Sequence, residues 1–381
     1  MNIGILTHYD VLNQGAQLQM YALYRQLVLL GHKPYILTYE KNFDFAREEQ
    51  LKNKPGLRSI PYYIRCYLMK KGIGLTVFNV MKYIKFRKFR KQNFRFNIYT
   101  HELIDVVVVG SDEVFSIPVG CNQMMFGYGI KTEHLIAYAP SFGQTNLEAI
   151  RQHGYEELMK KGLMRFHALS ARDAHTAELV RKLTDVEAEI VCDPVILYDF
   201  SRSQLKFTPP NYKYIAIYSY DRHMNEPKQI KAIRRFAREK NLKLVSAGTY
   251  HKWCEVNVAC NPLVWLEWIR NAEYVITDTY HGTIAAAVTG RKMAVYIRRS
   301  VNQNKLKDLI EVLGIGDRLL EEISLTCLKL VFHQEIDDKS LSRRLQMLRK
   351  TGRDYLNHAL SICENELMEV TNAANNNGAS R

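Results

Sequence analysis

A histidine stands where a predicted strand meets a predicted helix in the second half of the chain. The β-branched run Tyr274–Thr277 is typical of a strand, and the Ala-rich run that begins at Ile284 favours a helix. His281 lies in the polar turn between them, followed by Gly282 and Thr283. Unpaired backbone N–H groups and the helix dipole favour anions at such a junction. An imidazole there can bind a phosphate or carboxylate and move a proton, although it could also simply close a tight turn.

Other polar or small residues directly follow other predicted strands. They are Asn13, Gly15, Gly110, Ser111, Asp112, Ser141, Phe142, Arg172 and Asp173. In an open α/β sheet, ligands bind beyond the carboxyl ends of the strands. We therefore expect these residues and His281 to gather on the two walls of one cleft.

Strands and helices alternate along the chain, which favours a doubly wound α/β architecture. Apolar runs such as Val106–Val109 suit strands that are buried on both faces of a parallel sheet. The predicted strands are Ile3–Thr7, Pro34–Tyr39, Asp105–Val109, Leu135–Ala139, Ala168–Ala171, Ile190–Cys192, Tyr214–Ser219, Lys243–Ala247, Tyr274–Thr277 and Met293–Ile297. Helices are predicted over Gln14–Leu30 and Glu226–Lys240, and the polar stretch Tyr198–Tyr212 is typical of a linker.

Six motifs in this order and spacing resemble the polysaccharide pyruvyl transferase family. They are Asn13-Gln14-Gly15, Gly110-Ser111-Asp112, Ala139-Pro140-Ser141-Phe142-Gly143, Ser170-Ala171-Arg172-Asp173, Cys192-Asp193-Pro194 and Asp278-Thr279-Tyr280-His281-Gly282-Thr283. The resemblance runs from residue 1 to about residue 320. It implies transfer of a pyruvyl group from phosphoenolpyruvate to a saccharide with formation of a cyclic ketal. It also implies an α/β fold of two Rossmann-like domains that face a cleft (GT-B-like), with C-terminal helices.

Within that fold, we predict the following division of the chain. Residues 1–200 form a Rossmann-like domain with a basic insert at 45–100, 201–335 form a second Rossmann-like domain, 336–370 form a C-terminal helix that crosses back to the first domain, and 371–381 form a disordered tail.

The resemblance and the residue chemistry together suggest roles for the cleft residues. His281 and Asp112 are the catalytic candidates. The predicted donor site consists of Arg172, His281, Asn13, Gly15, Ser111, Gly282, Thr283 and Lys305, and the predicted acceptor site of Asp112, Glu113, Phe142 and Ser141. A guanidinium suits a phosphate or carboxylate because its donors form a planar fork. Structural alternatives stand beside these roles: a salt bridge for Arg172, a helix cap for Asp112 or Asn13, and a structural turn for Asp193-Pro194.

The chain departs from the commoner family pattern in two places. Members often show Gln, Trp and Asn after the Gly-Ser-Asp motif, whereas Glu113, Phe115 and Ser116 stand here. This casts doubt on the acceptor contacts more than on the donor contacts. Lys305 replaces a frequent Arg, so any phosphate contact there is made by a point charge.

Composition places the chain among soluble globular proteins. Of its 381 residues, 47% are hydrophobic and 24% are charged, which allows two domains of ordinary size. The seven cysteines are scattered and the histidines show no metal-ligand spacing. We therefore expect neither a metal nor a cofactor, with phosphoenolpyruvate as co-substrate. The N-terminus lacks a signal-peptide pattern, so we expect a cytoplasmic protein.

The net charge of +14 is concentrated in one segment. Residues 47–95 contain fourteen Lys or Arg and two Glu, with Phe and Tyr interleaved. We expect peripheral membrane contact through residues 82–95, because bacterial cell-surface saccharides are commonly assembled on lipid carriers at the cytoplasmic face. A solvated helix face is the alternative. Nucleic acid is not expected as a partner, because no binding motif accompanies the charge.

Two other functions compete with pyruvyl transfer. One is a GT-B glycosyltransferase that uses a sugar nucleotide, which would also need an anion site at a helix of the second domain. The other is a non-catalytic saccharide- or membrane-binding relative.

Overall fold

The architecture is that of a computed structural model, which describes residues 1–39, 60–98, 103–120, 122–202, 207–298, 303–334 and 337–378. The part of the basic insert before residue 60 and the end of the predicted tail, 379–381, lie outside these residues. Among the helices of the described ranges, none combines the length and apolar character that crossing a bilayer requires.

The first sheet is parallel and consists of β1 (Asn2–Leu6), β2 (Lys33–Thr38), β3 (Phe96–Ile98), β4 (Val106–Val109) and β5 (Leu135–Ala137). Its strand order is β3-β2-β1-β4-β5. All four residues of β4 are buried, as expected for a β-branched run at the centre of a parallel sheet. A short pair, β6 (Ser170–Ala171) and β7 (Glu189–Ile190), extends this sheet through a bridge between Ile136 and Ala168.

The second sheet repeats the same winding. Its strands are β8 (Tyr214–Tyr218), β9 (Lys243–Ala247), β10 (Val256–Val258), β11 (Tyr274–Thr277), β12 (Met293–Tyr296) and β13 (Leu319–Leu320). They are parallel in the order β10-β9-β8-β11-β12-β13. In each sheet, the strands that follow the first strand add to one side of it, and the later strands add to its other side. This is the doubly wound arrangement. The prediction of two Rossmann-like domains is confirmed.

Helices connect the strands and cover both sheets. They are α1 (Gln14–Leu29), α2 (Ile60–Asn93), α3 (Ile117–Gly120), α4 (Leu147–Gln152), α5 (Glu156–Leu163), α6 (Ala174–Thr184), α7 (Pro194–Leu197), α8 (Pro227–Glu239), α9 (Pro262–Arg270), α10 (Tyr280–Val288), α11 (Gln303–Leu313), α12 (Leu325–His333) and α13 (Asp338–Gly378). Several begin at side-chain caps that the sequence makes visible, such as Asn13 for α1 and Asp173 for α6.

The basic insert contributes more than a charged surface. Helix α2 kinks at Gly72, and the chain that follows it forms β3, the edge strand of the first sheet. Sequence periodicity does not indicate β3, β10 or β13, because strands of two or three residues are too short for an alternating pattern.

The C-terminal helix α13 contacts the first sheet. The Tyr355 hydroxyl donates to the Ala137 carbonyl of β5 at 2.8 Å, and the Arg349 guanidinium donates to the Ile196 carbonyl at 2.7 Å. The helix continues to Gly378 and so enters the stretch predicted to be disordered. Extending a helix that packing already holds adds one hydrogen bond for each residue fixed, which composition alone does not reveal.

Candidate functional site

A cavity of about 470 Å³ lies where the two sheets meet. Much of its wall comes from the carboxyl ends of four strands, and Tyr39, Arg172 and Arg298, which follow β2, β6 and β12, also line it. The segments after β1 and β4 supply His8, Asn13, Asp112 and Glu113, and those after β8 and β11 supply Tyr220, Asp278, Thr279, Tyr280 and His281. These four strands flank the point at which each sheet changes direction. Doubly wound sheets bind ligands at that point, so two such sites face each other across one space.

A guanidinium, an imidazole and two carboxylates form the centre of the site. Arg172 Nη1 lies 3.2 Å from Asp193 Oδ2 and 3.6 Å from Asp112 Oδ1. His281 Nε2 lies 3.4 Å from the same Asp193 oxygen, an ion-pair distance without hydrogen-bond alignment. The side chain of Asp193 has no exposed surface, and that of Arg172 is almost fully buried. Buried charges require partners, and here each charge has at least one.

Asp193 also begins a helix. Its Oδ1 accepts a hydrogen bond from the Val195 backbone N–H, and Pro194 occupies the first turn of α7. The structural role that the sequence suggests for Asp193 is therefore present, but its second oxygen faces Arg172 and His281. The sequence did not indicate this second role, because a Pro after an Asp looks the same whether or not the carboxylate has further contacts.

Local geometry fixes the imidazole of His281. Thr279 caps α10 by accepting from the Gly282 N–H at 3.0 Å. A side chain at Gly282 would collide with the Thr277 and Thr279 hydroxyls, and one at Gly15 would lie 2.3 Å from His281 Nδ1. The two glycines therefore allow the start of α1 and the start of α10 to approach, which holds the ring between the two halves of the site.

The charges of the site alter the acidity of its carboxyl groups. Burial alone would raise the pKa of Asp193, but His281 and Arg172 outweigh it and leave the pKa below its usual value. Burial likewise opposes ionisation of Asp112, and Arg172, His281, His8 and Lys305 together lower its pKa. Burial disfavours the charged form of Arg172, yet Tyr280, Asp112 and Asp193 raise the pKa of the guanidinium. Both carboxylates are thus ionised at neutral pH.

Two further cations stand at the rim. Lys305 pairs with Glu113, and Arg298 Nε lies 2.9 Å from Asp278 Oδ2. Their side chains are 23% and 29% exposed, so both can move toward a ligand. Arg298, His8 and Tyr220 are not among the site residues predicted from the sequence. Each follows a strand (β12, β1 and β8), so the rule that ligands bind beyond the carboxyl ends of strands could have identified all three.

The structure brings together six of the predicted site residues at the cavity: Asn13, Asp112, Glu113, Arg172, His281 and Lys305. The other six lie behind its wall. Ser111 donates to the Ala139 carbonyl, Thr283 donates to the Thr279 carbonyl, and Gly15 and Gly282 act through close packing.

Ser141 and Phe142, predicted to contact the acceptor, are fully buried. The Ser141 hydroxyl donates to Asp173 Oδ2 at 2.7 Å, and Phe142 packs in the hydrophobic core beside Phe115. The turn after β5 thus points these side chains inward, so their burial argues against direct contact with a ligand.

The two facing doubly wound sheets define an α/β fold of the GT-B type. Among solved structures, the chain is similar to an Arabidopsis thaliana protein, UGT89C1, complexed with UDP-L-rhamnose, with 10% identity, 95% of this chain and 99% of that chain covered, and a TM-score of 0.50. It is also similar to the glycosyltransferase SnogD from Streptomyces nogalater, with 13% identity, coverage of 95% and 98%, and a TM-score of 0.44. At these identities the likeness concerns the fold alone.

The family follows from the sequence. A model of the polysaccharide pyruvyl transferase family matches residues 13–298, and the chain belongs to that family. The protein is therefore a transferase of polysaccharide synthesis. No curated protein matches the chain.

Proposed function

We propose that this chain transfers the pyruvyl group of phosphoenolpyruvate to two hydroxyls of a saccharide, giving a cyclic ketal and phosphate. The observation that carries the proposal is the cavity at the two facing switch points, where Arg172, Asp112 and His281 lie within the stretch that the family model matches. The reaction requires no cofactor, because phosphoenolpyruvate itself supplies the activated group.

The donor carries a phosphate and a carboxylate, and the cavity offers groups for both. Arg172 provides a fixed guanidinium whose Nε is buried without a hydrogen-bond partner. Arg298 and Lys305 lie at the rim, and the first turn of α10 provides backbone N–H groups. Each cation is paired with a carboxylate in the ligand-free site, so a bound anion would replace part of that pairing.

The chemistry needs one proton donor and one proton acceptor. His281, whose Nε2 lies near Asp193, is the group that delivers a proton to the methylene carbon of the enol. The neighbouring carbon then accepts a sugar hydroxyl oxygen, whose proton passes to the Asp112 carboxylate. The carbon–oxygen bond to phosphate breaks, the second hydroxyl forms the second ketal bond, and its proton leaves with the phosphate.

The first test incubates the protein with phosphoenolpyruvate and a panel of lipid-linked and water-soluble saccharides. Phosphate release and the mass gain of a pyruvate ketal on one acceptor are the expected results. Parallel incubations use UDP- and TDP-sugars with the same acceptors. Transfer of a sugar in place of pyruvyl would replace the proposal with glycosyl transfer. Transfer of neither, with acceptor binding intact, would indicate a non-catalytic saccharide-binding relative.

We also propose that the acceptor is lipid-linked and that α2 contacts an anionic membrane at the cytoplasmic face. Ile73, Val77, Val80 and Ile84 recur at spacings of three and four residues, and all four side chains are more than half exposed. Such spacing places them on one face of a helix. Arg87, Lys88 and Lys91 continue that face and are exposed. An exposed aliphatic face that ends in cations suits a bilayer interface.

Three other cations of residues 82–95 form contacts within the protein. Lys82 Nζ donates to the Gly248 carbonyl and Lys85 Nζ donates to the Ala259 carbonyl, both at 2.7 Å, so they fasten α2 to the second sheet. Arg90 pairs with Asp10 at 2.8 Å. Neutralising these three would disturb the fold, and the membrane contact is better tested without them.

The membrane test compares two variants in vesicle flotation. Replacing Arg87, Lys88 and Lys91 by Gln should weaken binding to anionic vesicles by about 1 kcal/mol for each charge at low salt, and high salt should have the same effect on the wild type. Replacing Ile73, Val77 and Ile84 by Ser should weaken binding at any salt. Activity on a soluble acceptor should persist in both. Unchanged flotation of both variants would remove α2 as the anchor.

A further inference from the structure

Two imidazoles and one carboxylate converge at the edge of the first sheet that lies opposite the cleft. His134 Nε2 is 3.1 Å and His167 Nε2 is 3.4 Å from the same oxygen, Glu366 Oε2. The three ligand atoms all lie within 4.8 Å of one another. None of these three residues lines the cleft.

The main chain fixes both imidazoles. His134 immediately precedes β5, and its carbonyl accepts from the Val107 N–H at 2.9 Å. His167 lies just before the bridge to Ala168, and its N–H donates to the Leu135 carbonyl at 2.8 Å. Neighbouring parallel segments therefore place the two rings side by side, with centroids 5.2 Å apart. Glu366 comes from α13, which crosses this edge of the sheet.

Two of the three spacings in this group fit a tetrahedral metal site. Zinc binds imidazole nitrogen at about 2.0–2.1 Å and carboxylate oxygen at a similar distance, so two ligands on a tetrahedron are roughly 3.3 Å apart. The two nitrogen–oxygen distances lie close to that value. Two nitrogens and one oxygen suit Zn²⁺ and related transition ions, whereas Mg²⁺ and Ca²⁺ prefer oxygen ligands throughout.

The site is open enough for an ion to enter. The side chains of His134, His167 and Glu366 are 15%, 26% and 46% exposed, so water can reach the group and complete the coordination.

We propose that His134, His167 and Glu366 bind one divalent transition-metal ion of the Zn²⁺ type. The ion serves as a clamp that fastens the C-terminal helix to the amino ends of β5 and β6. Helix α13 already packs on the core through Leu360 and Cys363, and Leu367, next to Glu366, is partly buried against it. A metal bridge at Glu366 therefore adds a polar cross-link to this apolar attachment.

The test measures Zn²⁺ binding to the full chain after stripping with a chelator, by competition with a chromophoric zinc indicator. We expect one ion for each chain and a rise in Tm on zinc addition, because a ligand that binds the native state stabilises it. Millimolar Mg²⁺ should neither bind nor compete. His134→Ala, His167→Ala and Glu366→Gln should each weaken binding by more than about tenfold, since loss of even an outer partner costs that much.

Matched controls separate the site from general effects. Glu369→Gln lies on the exposed surface of the same helix, and His153→Ala removes an exposed imidazole elsewhere. Both should bind zinc as the wild type does. Circular dichroism of the metal-free variants checks folding, and Glu366→Gln should remain folded because its side chain is half exposed.

Zinc binding alone decides whether the site exists, so transfer activity does not have to be measured. Zinc that binds the three ligand variants as tightly as the wild type would be adventitious, and would overturn the site. A wild type that binds no stoichiometric ion would also overturn it, and the cluster would then be an imidazole–carboxylate hydrogen-bond group only.

Discussion

Imidazole and carboxylate side chains lie close together at both ends of the strands of the first sheet. The two groups differ in the burial of the carboxylate and in the cation beside it. In the cleft, His281 and Arg172 share the fully buried Asp193 at the carboxyl ends of the strands. At the opposite edge, His134 and His167 share Glu366, which is 46% exposed and lies on a separate helix. In the first group, the guanidinium of Arg172 is a permanent cation beside the carboxylate. In the second group, two imidazole nitrogens lie beside the carboxylate, and these can bind a metal ion.

The comparison shows why the same residue types support different functions. Parallel strands direct helix N-termini and turn N–H groups toward their carboxyl ends, which favours anionic ligands there. The amino ends present carbonyl-rich helix C-termini, which favour cations. We therefore expect an imidazole–carboxylate group at the carboxyl ends of the strands to meet an anionic ligand and one at the amino ends to meet a cation.

The largest expected difference between the two groups concerns the transfer rate. His281→Ala should reduce transfer by about 10²–10⁴-fold, because a positioned proton donor contributes that much. His134→Ala should leave the rate unchanged, since it lies at the far edge of the sheet. Phosphate release from phosphoenolpyruvate in the presence of acceptor measures both. Near wild-type turnover by the His281 variant would end its assignment as the proton donor.

A second difference should appear in stability. Asp193→Asn leaves Arg172 buried without its closest carboxylate, which we expect to cost about 3–5 kcal/mol of unfolding free energy. Glu366→Gln, at a half-exposed position, should cost at most about 1 kcal/mol in metal-free protein. Urea unfolding compares the two. Equal, small losses would mean that Asp112 alone compensates the Arg172 charge.

Donor affinity tests the role of the guanidinium itself. Arg172→Lys keeps the charge but loses the planar fork, so the affinity for phosphoenolpyruvate should fall by about 1–3 kcal/mol. Arg181→Lys, on the exposed face of α6, is the matched control and should bind the donor normally. Calorimetry with phosphoenolpyruvate provides the measurement. Unchanged affinity would leave Arg172 with the structural salt bridge as its only role.

The smallest expected effect is a dependence on pH. The pKa of Asp193 is depressed in the folded state, so its ionisation adds stability above the unfolded pKa of about 3.8. That contribution is lost as the pH falls through the lower folded value. The stability difference between wild type and Asp193→Asn should therefore stay constant from about pH 7 to 5 and narrow only below about pH 4. Narrowing already above pH 5 would contradict a depressed pKa for Asp193.

Much of the fold was visible in the sequence because its signals are local. Ten strands were predicted close to where they lie, since buried parallel strands are continuous β-branched runs such as Val106–Val109. The rule that ligands meet the carboxyl ends of strands gathered Asn13, Asp112, Arg172 and His281 before any distance was known. The short strand β3 was missed because its pairing with β2 joins residues far apart in the sequence, and the helical continuation to Gly378 was missed because propagation of an existing helix is not visible in composition.

The sequence by itself determined the family, the two doubly wound sheets and the set of strand ends that line the cleft. Only the tertiary structure decided which side chains enter the cavity. It turned Ser141 and Phe142 into the core, placed Asp193 beside a guanidinium and an imidazole, and brought together His134 and Glu366, which are 232 residues apart. The physical reason is that strand and helix periodicities come from residues a few positions apart. The contacts that set a charge or build a metal site join segments that meet only when the chain has folded.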